Sequence, residues 1–332
     1  MPSMIEDLLN PAFLPDRTKH VKLIQTHISL VFVGDEFVYK IKKPVDFGFL
    51  DFSTLEKRHH FCQQEVILNQ RLTEGIYLGV MPVVFDGKNH RIGQGGGDVV
   101  EYAVRMKRIP DERLMKSVYD RGELTTDHLK DLARVIAKFH GNAEQSREID
   151  HFGELDIFRF TTDENFDQTR KYVGISIDRK DFETLFQWTE RFFKEQGDLF
   201  ERRIADRKIR DCHGDLHMEH ICLTEPISIF DCIEFNDRLR YTDTLADIGF
   251  LLMDLEYRGG RRFSNQLWRF YSEITHESSM ESMLAFYKVY RAYVRGKVIS
   301  FQLDDRGISD DEKAKAIQSA KAYFKLSRSY IE

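Results

Sequence analysis

The segment CHGDLHMEHICL, residues 212–223, sets His213, Asp215, His217, Glu219 and His220 within eight positions. Solvated surface loops seldom concentrate acids and imidazoles so closely. Two short apolar stretches follow, 221–223 and 227–230, joined by a Thr224-Glu225-Pro226 turn and ending at Asp231, with Glu234 just beyond. Closure of that hairpin would bring Asp215, His220 and Asp231 to one rim. A carboxylate within hydrogen-bond reach of a hydroxyl can orient or deprotonate it. A second set of oxygen ligands can hold a divalent cation on nucleotide phosphates. Asp215 and Asp231 are the candidates for these two tasks.

A lysine and a glutamate form a second group. In the stretch 37–42, Val38, Lys40 and Lys42 share one strand face, opposite Phe37, Tyr39 and Ile41. On a helix after Ser53, the residues Phe61, Glu65, Leu68 and Leu72 fall on one stripe, which sets a carboxylate among core-facing groups. A buried carboxylate needs a partner, and this strand face offers Lys40 and Lys42. Farther on, Arg291 and Arg295 stand one helical turn apart near Tyr287 and Tyr290. Like charges at that spacing repel unless they are solvated or share an anion. Arg291, Arg295 and Glu234 are therefore candidates for contacting an acceptor, with a solvated helix face as the alternative for the arginines.

The elements that must position these groups change character along the chain. Residues 21–43 alternate as a hairpin around Gly34-Asp35, and further strand patterns occupy 80–85 and 99–106, separated by Gly95-Gly96-Gly97. Ser53 and Glu56 have the spacing of a capping box and predict a helix reaching about residue 72. From there the text turns helical. Leu129, Leu132, Val135, Ile136 and Phe139 recur at helical spacing, and residues from Thr244 to the end read as helix. The expectation is an α+β protein with a small β-rich N-terminal lobe, residues 1–106, and a larger helical lobe, residues 107–332. A crevice between two lobes is where ligands are expected.

Composition narrows the classes. A net charge of −6 argues against a nucleic-acid partner, which normally calls for a basic domain or stripe. No apolar run approaches the roughly 20 residues that span a bilayer, and the N-terminus lacks a basic and then apolar leader, so a cytoplasmic protein without a membrane partner is expected. Cys62, Cys212, Cys222 and Cys232 lack paired close spacing and read as reduced, buried thiols.

The loop His213-Gly-Asp-Leu-His217 and the strand-ending Asp231 resemble the aminoglycoside phosphotransferase and choline-kinase-like family, which has a bilobal protein-kinase-like fold. The run from Asp243 to Asp247 is similar to that family's segment opening a buried helix. The resemblance implies in-line transfer of the γ-phosphoryl group of ATP to the hydroxyl of a small-molecule acceptor. It gives Asp215 the role of base, His213 a positioning role in the loop, Asp231 the Mg²⁺, and Asp247 the bracing of the loop through backbone N–H groups. Lys40 would grip phosphates with Glu65 as its brace, Val38 would roof the adenine, and Met106 would lie at the hinge. The branch it most resembles is often joined to a P-loop ATPase domain, which implies a separate P-loop ATPase partner here.

Two departures from the pattern matter. His220 stands where the family has Asn, and an imidazole suits Mn²⁺ or zinc better than Mg²⁺. It could ligate a different ion, touch phosphate directly, or leave a single metal. The N-terminal region also has no G-x-G-x-x-G, so Thr26-His27-Ile28-Ser29 would have to cover the phosphates with N–H groups and hydroxyls, Ser29 among them. Two rival readings remain: a non-catalytic nucleotide-binding module of the same fold, and a metal-dependent hydrolase using the histidines of 213–220.

Overall fold

The computed structural model describes residues 3–305 and 307–332. The chain begins with α1 (Met4–Leu8) and continues as β1 (Lys22–Gln25), β2 (Ser29–Val33) and β3 (Phe37–Lys42). Next come α2 (Leu55–Asn69), β4 (Tyr77–Phe85), β5 (His90–Ile92), β6 (Asp98–Lys107) and α3 (Met115–Asp120). The helices α4 (Thr126–Asn142), α5 (Arg147–His151), α6 (Leu155–Thr169), α7 (Arg179–Gln196) and α8 (Asp198–Ala205) follow, then β7 (Ile209–Asp211). A short hairpin, β8 (Ile221–Cys222) and β9 (Ser228–Ile229), precedes α9 (Asp237–Arg240) and β10 (Tyr241–Asp243). The chain closes with α10 (Thr244–Tyr257), α11 (Arg261–Thr275), α12 (Glu281–Phe301) and α13 (Asp310–Ser329). This is the α+β composition expected.

Two compact units share the chain: Met1–Glu123 with Glu219–Asp237, and Leu124–Met218 with Arg238–Glu332. The β8–β9 hairpin and Asp231 thus belong with the N-terminal sheet, whereas the 213–218 loop belongs with the helices.

In the first unit six strands form an antiparallel sheet in the order β1-β2-β3-β6-β4-β5. Strand alternation gives the sheet two faces of different chemistry. Phe32, Tyr39, Ile41, Val83 and Ala103 pack with Leu8 and Leu14 on one. Val104 and Tyr77 pack with Cys62 and Val66 of α2 on the other. Lys40 and Lys42 alternate with Tyr39 and Ile41, so they point to the α2 side. Helix α2 is fastened to β6 by Arg58, whose Nε donates to both carboxylate oxygens of Glu101 at 2.9 and 2.8 Å.

Its cap differs by one residue from the expected box. The Thr54 side chain accepts from the N–H of Lys57, while the Ser53 hydroxyl turns to Asp51 at 2.6 Å. The helix also stops at Asn69 rather than near 72, since Arg71 and Leu72 donate three residues back.

In the second unit α6, α7, α12 and α13 bury Phe166, Leu185, Val289, Tyr293 and Phe324 together. Helices α12 and α13 come so close that a Cβ at Gly296 would meet the Phe324 ring at 2.8 Å. Helix α10 is buried over Thr244–Glu256 yet contains Asp247 and Asp254, seven residues apart and therefore on one face. All four cysteines are buried thiols. Among the described residues no helix is long and apolar enough to cross a membrane.

Candidate functional site

In the first unit five charged side chains alternate in sign. Lys40 Nζ lies 2.6 Å from Asp231 Oδ1 and 2.8 Å from Glu65 Oε1. Glu65 Oε2 in turn accepts from Lys42 Nζ at 2.7 Å, and Lys42 also pairs with Glu234. Glu65 is fully buried and Lys42 is 1% exposed, whereas the Asp231 side chain is 40% exposed. The chain of charges therefore runs from a dry end at Glu234 to a wet end at Asp231.

Burial would push the Glu65 carboxyl up, but Lys40 and Lys42 hold it below the ordinary value. Burial would also lower Lys40; the charges of Asp231, Glu65 and Glu234 keep it well above the usual lysine range. At Glu234 burial wins over the pull of Lys42, and its carboxyl is raised.

The backbone fixes Asp231 as firmly as the lysine does. Its φ of +62° lies in the left-handed region that non-glycine residues rarely enter. Neighbours over-determine that conformation: the N–H of Asp231 donates to Tyr77 Oη at 3.2 Å, and the N–H of Cys232 to Asn69 Oδ1 at 2.9 Å. His220, paired across the hairpin with Phe230, presents Nε2 at 3.4 Å from Asp231 Oδ2. One carboxylate and one imidazole fit a divalent cation of borderline softness, Mn²⁺ better than Mg²⁺, with positions left for phosphate oxygens.

Val38 and Met106, the two residues expected around adenine, are direct register partners in β3 and β6. Ser29 lies elsewhere than on an open phosphate loop. It is 1% exposed, and the Thr26 hydroxyl already accepts from the N–H groups of Ile28 and Ser29 at 3.3 and 2.9 Å. A local turn has taken the N–H groups of Ile28 and Ser29, and the Ser29 hydroxyl is buried. Glu234 likewise departs from an acceptor-facing position, because Lys42 holds it in the interior.

In the second unit the 213–218 loop hangs from α10. Asp247 accepts from the N–H of His213 at 3.0 Å and of Gly214 at 2.9 Å, and His140 Nε2 lies 3.1 Å from it. Burial alone would raise this carboxyl; the hydrogen bond and charge of His140, with the charges of His213 and Arg291, bring it down to about 2. Seven residues on, Asp254 accepts from the N–H of Met218 at 3.1 Å. Gly214 takes φ +83°, where its lack of a Cβ permits the bend.

Between these two anchors stands Asp215, its N–H directed to His213 Nδ1 at 3.3 Å and its Oδ2 3.5 Å from His217 Nε2. His217 is pushed down by burial, but the charge of Asp215 and the hydrogen bond to it leave it above the ordinary histidine value. Arg291 departs from the expected anion clamp: its Nη1 donates to Gly214 O and its Nε to Ala246 O, both at 3.1 Å.

The resemblance singled out Lys40 over Lys42 as the partner of Glu65, whereas both lysines pair with it, and sequence reasoning missed Tyr77, Asn69, His140 and Asp254 as supports. Asp254 had a usable signal, a second acid two turns from Asp247 in an apolar helix. The others depend on contacts between distant segments.

The phosphotransferase enzyme family matches residues 50–284, more than half of the chain. An uncharacterised protein of Mycobacterium tuberculosis is 33% identical over 276 residues, which take in 82% of this chain and 53% of that protein. A Mycobacterium bovis protein, also uncharacterised, gives the same figures. The chain thus spans about half the length of the curated relatives it matches. Among solved structures, a mutant of aminoglycoside 2'-phosphotransferase-IIIa in its GDP complex has a TM-score of 0.50 at 12% identity, covering 93% of this chain and 92% of that one. A choline/ethanolamine kinase family protein from Mesorhizobium loti has a TM-score of 0.49 at 14% identity, covering 95% and 92%. With the aminoglycoside phosphotransferase structure supporting the kinase-like fold and the family match extending over both units, the chain belongs to the phosphotransferase enzyme family.

Proposed function

We propose that the chain transfers the γ-phosphoryl group of ATP to a hydroxyl of a small-molecule acceptor. The observation that carries this reading is Lys40, whose ammonium is shared by a fully buried glutamate and a partly exposed aspartate. The Asp231 contact is the one a nucleotide phosphate can replace, and Glu65 keeps the ammonium in place during the exchange. A divalent cation held by Asp231 and His220 would neutralise charge on the phosphate oxygens. Asp215 accepts the acceptor's hydroxyl proton as the new P–O bond forms and the β–γ bridge breaks, and ADP leaves. Asp247 and Asp254 keep the Asp215 loop from moving under load.

The GDP in the solved relative makes a guanine nucleotide the first alternative donor to try. A separate P-loop ATPase partner is proposed on the sequence resemblance alone. A nucleotide-binding module without transfer is the second reading, favoured by the Thr26 turn, which leaves few N–H groups for phosphates.

The test is incubation with ATP or GTP and Mg²⁺ or Mn²⁺ across a panel of hydroxyl compounds, following nucleoside diphosphate release and the phosphorylated product by mass spectrometry. A product with at least one acceptor supports transfer. Tight nucleotide binding without product on any panel member would favour the second reading.

A further inference from the structure

Helix α12, which reaches the 213–218 loop through Arg291, carries a second cation of a different kind. Arg291 and Arg295 of α12 are one turn apart, and both guanidiniums lie near the Phe250 ring, at 5.0 and 6.0 Å from its centroid. The His217 ring lies 5.6 Å from the same centroid. These three groups thus gather round one ring beside Asp215.

The neighbouring charges have counter-charges. Asp215 has His217, Asp254 has Arg258 at 3.4 Å, and buried Asp247 has His140 and the field of Arg291. Arg291 is further held by two carbonyls. Arg295 differs: among the described residues no carboxylate lies within 4.0 Å of its guanidinium. It is half-buried and flanked by Phe250 and by Tyr323, whose ring centroid is 5.7 Å away. Its field reaches the loop: Arg295 depresses His217, and Asp215, after burial and Tyr323, is among the groups that set the state of Arg295.

A guanidinium offers five donors in a planar fork. Phe250 and Tyr323 steady that plane, Tyr323 also through a side-chain hydrogen bond, and the other donors are left for a ligand. The Tyr323 hydroxyl gives Arg295 one neutral partner and no counter-charge, whereas a carboxylate or phosphate would take the remaining donors in two parallel hydrogen bonds.

We propose that Arg295 is an acceptor-binding residue and that the acceptor is an anionic hydroxyl compound, carrying a carboxylate or a phosphate that seats on this guanidinium while its hydroxyl faces Asp215. The inference rests on the transfer reading given above. It also predicts that polycations fit poorly, since a cationic acceptor would meet Arg295, Arg291 and His217 together.

The test compares glycerate, glycerol 3-phosphate, glycerol and ethanolamine as acceptors for the wild-type chain and for Arg295→Met, which keeps length and apolar packing. The expected result is a wild-type preference for one or both anions. The Arg295→Met variant should lose about 10- to 100-fold of that preference, read as the ratio of kcat/KM for anion over glycerol. Glycerate against glycerol 3-phosphate tells carboxylate from phosphate. Should the Met variant misfold by circular dichroism, Arg295→Lys replaces it, with a partial loss expected because the charge remains and the fork is gone.

Calorimetric titration of glycerate and of inorganic phosphate into both proteins provides a reading independent of turnover. If glycerol or ethanolamine is preferred by the wild type, or Arg295→Met keeps the preference for anions, the inference is overturned and the transfer reading stands. If nothing is phosphorylated, the transfer reading falls. Anion binding that requires Arg295 would then still sustain the site, and its absence would end it.

Discussion

The two units hold their candidate residues by opposite means. In the first, side chain meets side chain: Asp231, Lys40, Glu65, Lys42 and Glu234 form a line of alternating charges. In the second, side chains meet backbone: Asp247 and Asp254 take three N–H groups of one loop, and Arg291 takes one of its carbonyls. Charge pairs at a partly exposed end can be exchanged for a ligand's charges, while carboxylates bonded to buried N–H groups have no competitor and fix a shape. The first arrangement suits groups that must hand a cation to phosphate. The second suits a base that must stay where it is.

The comparison can be broken most readily at Lys42. Replacing it by Met leaves Glu65 with one partner and Glu234 with none in the interior, which should cost about 3–5 kcal/mol in urea unfolding. A cost below about 1 kcal/mol would mean that the dry end of the charge line is not structural.

Asp247→Asn comes next. It removes a carboxylate held at about 2 instead of the unperturbed 3.8, a difference worth roughly 2 kcal/mol at neutral pH. Since the folded value is the lower one, this contribution is fully present above 3.8 and disappears as pH falls through about 2. The stability gap between wild type and variant should therefore be flat near neutrality and close in acid. A gap that widens in acid would contradict the assignment.

The smallest stability effect is expected for Lys40→Met. Asp231 can be solvated and Glu65 keeps Lys42, so the change should stay within about 1 kcal/mol while nucleotide affinity falls by tenfold or more, on the order of one charged hydrogen bond. A variant that unfolds, or binds nucleotide as well as wild type, would show that the wet end is not an exchange point.

What was legible in the sequence follows the same division. The cluster at 213–220 and the hairpin leading to Asp231 stood out by residue type and spacing in short segments, while the bonds from Asp247 to the His213 and Gly214 N–H groups match a role the family resemblance implied. The hairpin of β2 and β3 was readable from alternation and a Gly34-Asp35 turn. Lys42 was not, because a lysine on an alternating strand looks solvent-facing until a glutamate 192 residues away closes over it. Ser29 was misplaced for a local reason, the Thr26 hydroxyl competing for N–H groups that seemed available to a ligand. Arg291 and Arg295 look equivalent in sequence. Only the position of the Gly214 and Ala246 carbonyls separates a loop support from a cation without a carboxylate partner.

The most direct test of the account is Asp215→Asn, measured for nucleotide affinity and for turnover in the same preparation. Nucleotide affinity within about twofold of wild type, together with a fall in kcat of about 100- to 10,000-fold, is the predicted result. Turnover undiminished in the variant would contradict the central claim, and the base would have to be sought among other side chains.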